Sequence, residues 1–348
     1  MGDASKETVS DLRRHWQAVT ALGRAVPGSG LAEMADALRS NPWPEDLRHT
    51  PLIIDTDIGG DADDALAVAA AARCSPELQL VVTGDESGGQ RARFARHLLD
   101  LLDRQDVATV AGAELGATPY IVIESLVPQS VPNQPSDVVA AVRKVLDSTD
   151  GPVRWVGMAP LSNLGQVLAQ VPELATRLRV TQMGGALRYR NPDSAEHNVR
   201  LDVLAARQVL AAVASGVLPT PEFVASEVTF TPSIEVTAES PLYAWLSAPD
   251  APPWASLLSA HLDAWFSRFY PGSMQHDALT LSAALDLPFV DSAHVRIVMD
   301  SIGRTSTDDA GALLRWSISA EYDAFMSWLT RTLTSLEGFR GTRNRVAE

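Results

Sequence analysis

An α/β fold with a mostly parallel central sheet flanked by helices, open and Rossmann-like, is predicted from two observations. From Pro51 onward, short apolar runs of strand length alternate with amphipathic segments of helix length. The apolar runs are hydrophobic throughout rather than at every second position, as in strands covered on both faces. In chain order the strands are expected at 52–54, 78–83, 108–111, 153–158 and 178–183, and the helices between them at 64–73, 90–102, 136–146 and 161–171, with 204–214 after the last strand. Beyond Pro219 the regularity weakens, and proline-rich stretches at Pro241 and at Ala251-Pro252-Pro253 bracket one more helix at 257–270. Ahead of Pro51, amphipathic stretches at 12–25 and 31–38 are separated by Pro27-Gly28 and closed by Asn41-Pro42-Trp43-Pro44. They are expected to form an N-terminal helical extension over residues 1–50, with one catalytic domain over 51–348.

Composition narrows the partners. The 348 residues carry 43 acidic and 28 basic side chains, a formal charge of −15. Such a chain repels phosphate backbones and anionic lipid, so the expected partner is a small molecule, with neither nucleic acid nor membrane. A single cysteine, Cys74, excludes an internal disulfide and a cysteine metal site. The N-terminus has no apolar core with a small-residue cleavage site, and no apolar run is long enough to span a bilayer. A cytoplasmic location is expected.

Directly after the first strand comes Asp55-Thr56-Asp57-Ile58-Gly59-Gly60-Asp61-Ala62-Asp63-Asp64, five carboxylates within ten positions. Like charges so close repel unless a cation or shared protons neutralise them. A helix start would account for Asp61, Asp63 and Asp64, because acids favour the first turn. It leaves Asp55 and Asp57, at the carboxyl end of a buried strand, where open α/β sheets bind ligands. An all-oxygen set suits a hard cation, Ca²⁺ or Mg²⁺, better than zinc. On a helix Asp61 and Asp64 would share a face, with Asp63 pointing elsewhere.

With this cluster the chain resembles the calcium-dependent, inosine/uridine-preferring nucleoside hydrolases, from about Pro51 through the last helix. Further segments are similar in order. Val82-Thr83-Gly84-Asp85 stands where the family has Gly-Asn, and Ala159-Pro160-Leu161-Ser162-Asn163-Leu164 resembles its Gly-Pro-Leu-Thr-Asn. Met183-Gly184-Gly185 and Ala195-Glu196-His197-Asn198 resemble its ribose-binding elements, and His276-Asp277 its His-Asp pair. The resemblance implies that Asp57, Asp64, Asp277 and the Ser162 carbonyl hold Ca²⁺. It assigns Asp63 as general base, His276 as the acid facing the leaving base, and Asp85, Met183, Asn191, Glu196 and Asn198 as substrate contacts. The cluster carries two residues more than the common family pattern, so Asp61 is an alternative ligand or base. His197 replaces a phenylalanine and reads more readily as a satisfied buried histidine. The segment 118–135 has no counterpart of the His-Gly stretch many members carry.

The implied reaction is hydrolysis of the N-glycosidic bond of a ribonucleoside to ribose and free base, through an oxocarbenium-like sugar, with a Ca²⁺-oriented water deprotonated by Asp63. The resemblance also implies a homo-dimer or homo-tetramer. On the helix at 257–270, His261, Trp265 and Arg268 share a face, which packs a core or stacks a base. Other readings are an N-ribosidase specialised for a ribosylated natural product or cofactor fragment, and a non-catalytic relative that binds a ribosyl ligand. A phosphatase of the haloacid-dehalogenase kind also begins with an aspartate pair, but it needs a lysine further along, and only Lys6 and Lys144 are present.

Overall fold

The computed structural model describes residues 18–335 apart from 20, 41–44, 46 and 117–119. The chain divides into two compact units, Met1–Asp46 and Leu47–Glu348. In the first, residues 21–25 are helical and a second helix runs Gly30–Ser40. Residues 12–17 of the helix expected at 12–25 lie outside the described residues.

Among the described residues of the second unit, nine strands form one sheet in the order β10-β9-β11-β6-β5-β4-β1-β2-β3. The first five in chain order are β1 (Leu52–Thr56), β2 (Leu78–Thr83), β3 (Ala108–Ala111), β4 (Val153–Gly157) and β5 (Leu178–Met183), all paired in parallel. The apolar pattern produced this because each strand feeds both sides of the sheet. Leu52 and Ile54 of β1 pack into one core with Leu78 and Val81 of β2, while Ile53 joins Leu80 and Val82 in the core on the other face. The first core is closed by the helices Asp63–Cys74, Gln90–Leu101, Pro253–Arg268, His276–Ala284 and Tyr322–Thr334. The second lies under Val138–Asp147, Ser162–Gln170 and Val203–Ala214.

Past Pro219 the sheet continues through β6 (Glu222–Val224), β9 (Val290–Met299), β10 (Thr305–Thr307) and β11 (Ala312–Ala320), where parallel pairing gives way to antiparallel. These strands were not anticipated. β9 is half-exposed along most of its length and carries Asp291, His294 and Arg296, so it lacks the apolar run of a doubly covered strand. A separate two-stranded sheet pairs β7 (Glu235–Thr237) with β8 (Gly272–Met274).

Two features position a site. The strand order reverses between β1 and its parallel neighbour β4, so the connections leaving their carboxyl ends run to opposite sides of the sheet and leave a crevice. The helix Asp63–Cys74 starts at that crevice and is buried on every side from Asp63 to Ala72. Its run of alanines lets the helices His276–Ala284 and Tyr322–Thr334 approach closely.

Candidate active site

A cavity of about 330 Å³ opens at the crevice, with Asp57, Asp61, Asp63, Asp64 and Asp277 among its lining residues. That volume lies at the lower end of the range that suits small ligands. Asp63 and Asp64 enter from the first turn of Asp63–Cys74, and Asp277 from the first turn of His276–Ala284. Carboxylate oxygens of Asp63, Asp64 and Asp277 lie within 4.8 Å of one another, all three buried. The Asp277 backbone amide points at Asp63 Oδ2, 3.4 Å away, and Thr56 Oγ1 donates to Asp64 Oδ1. Burial, then mutual repulsion within the cluster, holds Asp63, Asp64 and Asp277 well above the ordinary carboxylate range. A divalent cation answers both causes at once: it replaces the lost hydration and removes the repulsion. Buried all-oxygen donors fit such an ion.

Asp61 precedes the helix instead of sharing a face with Asp64. Its Oδ1 accepts the Ala62 amide at 2.6 Å, and burial pushes its pKa up to about 7. Asp55 lies beneath the cavity, its Oδ1 accepting Asn163 Nδ2 at 2.8 Å, and burial pushes it up to about 8. Asn163 also donates to the Thr83 carbonyl at 3.0 Å and accepts the Ala113 amide at 3.0 Å, tying together the ends of three strands.

The walls hold some of the expected contacts and replace others. Met183, Glu196 and Asn198 line the cavity. Glu196 caps the short helix His197–Leu201, accepting the amides of Asn198 and Val199 at 3.2 Å and that of Gly185 at 3.1 Å. Asn198 Nδ2 reaches the Met183 carbonyl at 3.2 Å. Asn191 is not on the wall: it is exposed, and its Oδ1 accepts the Asp193 amide in a surface turn, leaving Tyr189 and Arg190 to line the cavity. Asp85 is likewise set back. It is buried in a left-handed conformation (φ 41°), 3.6 Å from the Arg91 guanidinium, and Arg91 reaches the cavity in its place. Arg91 also donates to the carbonyls of Asp57, Ile58 and Asp85, bracing the acidic loop. Ser162 opens the helix Ser162–Gln170 and is not among the residues lining the cavity; its hydroxyl donates to Asp202 at 2.7 Å.

His276 lines the cavity, its Nδ1 2.8 Å from Thr229 Oγ1 and its ring stacked on Phe230. Burial, then Arg190 and His197, lower its pKa to about 4, so the ring is neutral at pH 7 rather than titrating near neutrality. His197 is half-exposed on the wall, 3.2 Å from Arg200, and is not a buried core histidine. The face shared by His261, Trp265 and Arg268 splits three ways. His261 is buried against the Gly60 carbonyl at 3.0 Å, Trp265 lines the cavity, and Arg268 pairs with Glu124 at 3.2 Å. Opposite Trp265 stands Tyr120, its ring centroid 6.4 Å away, from a stretch with no recognisable motif. Tyr120, Tyr189 and Arg190 in loops, and Arg200 on the short helix His197–Leu201, were missed because single aromatic or cationic residues carry no periodicity or spacing; only the fold gathers them.

Fold and site together define a doubly wound α/β protein with a buried, all-oxygen donor centre at the carboxyl ends of its strands. The family follows from the sequence profile that spans this architecture: the chain belongs to the inosine-uridine preferring nucleoside hydrolase family, whose profile matches residues 52–327. The pyrimidine-specific ribonucleoside hydrolase RihA of Salmonella schwarzengrund is 31% identical over 177 residues, 46% of this chain and 56% of the relative. The chain thus spans about half the length of the curated relatives it matches. In three dimensions it is similar to the plant nucleoside hydrolase PpNRh1 (TM-score 0.68, 20% identity, 82% of this chain and 99% of that one). It is similar also to the purine-preferring ribonucleoside hydrolase from Gardnerella vaginalis (TM-score 0.67, 20% identity, 82% and 98%).

Proposed function

We propose that this chain hydrolyses the N-glycosidic bond of a ribonucleoside, releasing ribose and a free base. The observation that carries this reading is the buried trio Asp63, Asp64 and Asp277 at the switch point of the sheet, in a chain of this family. Asp64 and Asp277 would hold a hard divalent cation, Ca²⁺ on this reading, with Asp57 and the Ser162 carbonyl as the further donors expected from the resemblance. When bound, the ion supplies Lewis acidity to water and neutralises the cluster.

The remaining steps belong to the chain's own side chains. Asp63 accepts the proton of the attacking water, with Asp61 beside it as the alternative base. Glu196 and Asn198, locked by their backbone bonds, orient the sugar. The acidic floor favours positive charge developing on the ring. Tyr120 and Trp265 offer apolar faces to the base, and neutral His276 offers it a hydrogen bond. A homo-dimer or homo-tetramer is part of the same proposal.

The test is a reducing-sugar assay across purine, pyrimidine and nicotinamide ribosides, with and without chelator. Sugar release from at least one riboside, abolished by chelator and by Asp64→Asn, is expected. Turnover indifferent to both would overturn the metal-dependent hydrolase.

A further inference from the structure

One wall of the cavity opposes its floor in charge. Arg190 and Arg200 both line it, and His197 and His276 stand beside them. In a chain of charge −15, cationic side chains at a pocket mouth usually answer neighbouring carboxylates. These two do not. Arg268, Arg304 and Arg315 at the surface each pair with a carboxylate, and buried Arg91 and Arg104 spend their N–H groups on backbone carbonyls and on aspartates.

Among the described residues, Arg190 is held by aromatic rings and donates no hydrogen bond. Its guanidinium lies 4.5 Å from the ring centroids of both Tyr189 and Phe230, and Phe230 in turn stacks on His276. Aromatic faces fix the group and leave its planar fork free. Arg200 follows Glu196 and Asn198 on one short helix and touches His197 Nδ1 at 3.2 Å. A guanidinium fork held this way matches a phosphate or carboxylate. A neutral riboside offers it only hydroxyl and base acceptors, with no charge to pair.

Resting on the reading that this cavity takes a riboside, we propose that Arg190 and Arg200 form an anion subsite, and that the preferred substrate carries a phosphate on the ribose. The placement favours the sugar's 5′ end, because Arg200 shares its helix turn with Glu196 and Asn198, the residues that orient the sugar. The floor of carboxylates repels such a ligand on its own, so the cationic wall is what admits it. The chemistry recognised is a 5′-phosphoribosyl group, as a terminal monoester or within a diphosphate bridge.

Calorimetry on the full chain in Ca²⁺ tests this with ribose 5-phosphate against ribose. Two charge-assisted contacts predict that the phosphate binds about ten- to a hundredfold tighter. Arg190→Gln and Arg200→Gln should each lower that ratio, and the double substitution should bring it to near one. Equal binding of the two sugars, or a ratio that neither substitution moves, overturns the subsite. Adenosine 5′-monophosphate and ADP-ribose, each compared with adenosine, separate the sources: preference for the first marks a monoester and for the second a bridge. Hydrolysis of nucleosides with no phosphate preference would sink this inference and leave the hydrolase reading standing. A phosphate preference with no riboside hydrolysed would do the reverse.

Discussion

Asp64 concentrates the conflict between stability and chemistry in this protein. It is buried, takes the Thr56 hydroxyl, and is held well above the ordinary carboxylate range by burial and by its acidic neighbours. Asp64→Asn keeps the shape and removes one charge. In chelator the variant is expected to melt a few degrees above the parent, since like-charge repulsion and desolvation are relieved. Added Ca²⁺ is expected to stabilise the parent and not the variant, whose kcat should be down by roughly a thousandfold or more. A lower melting point in chelator would show that the carboxylate is held by favourable contacts instead. Asp55 and Asp61 set a pH dependence. Their folded pKa values, about 8 and about 7, lie above the unfolded 3.8, so the folded state holds protons the unfolded state has released. Stability from these groups is complete below 3.8 and is lost as pH rises through the folded values. The lowered histidines His261 and His276 contribute the opposite trend, but only below 6.5. Between pH 6.5 and 8, therefore, the chelated protein should melt at falling temperature as pH rises. With Ca²⁺ the slope should flatten or reverse, because the ion takes the place of the protons. Melting curves that fall equally with and without the ion would refute this.

At the scale of elements, the helix Asp63–Cys74 joins core and site. Ala69 is fully buried midway along it. Ala69→Leu is expected to cost about 1–3 kcal/mol by overpacking, read from denaturant unfolding. Because the helix cannot shift without carrying Asp63 and Asp64, activity should fall along with stability. Gly185 gives a second test. It sits at φ 75°, and a Cβ there would stand 2.6 Å from the Trp316 ring, so Gly185→Ala should destabilise by about 1–3 kcal/mol. Unchanged unfolding would mean that the ring yields freely. The sequence made the parallel part of the sheet legible because strands covered on both faces must be apolar throughout: 78–83, 108–111 and 178–183 are strands to the residue. It left β9 and β11 obscure because an antiparallel strand with one wet face mixes its polarity. In the site, the Asp-rich loop and His276-Asp277 stood out as dense local motifs. Asn191 and Asp85 could not be placed from motif alone, since a turn hydrogen bond claims one and Arg91 the other.

Across the whole molecule, the order of strands explains why distant segments meet. Asp57 follows β1 and Asp277 opens a helix more than two hundred positions later, yet both line one cavity because the sheet reverses its winding beside β1. A cation there acts on the entire unit Leu47–Glu348 by mass action. At a hundred times its dissociation constant it should add about 2.7 kcal/mol to unfolding, seen as a melting temperature that climbs with the logarithm of free Ca²⁺. A melting point independent of the ion would mean that the folded state gains nothing from it. The buried alanine helix has a further consequence for how such a protein can diversify. The floor of the cavity and the keel of the molecule are the same rod, so its reacting end tolerates little drift. Tyr120, Tyr189 and Arg190 hang from loops that bear no such weight. On the proposed function, preference for a leaving group or a phosphate can therefore change by exchanging loop residues alone, while the helix beneath them stays as it is.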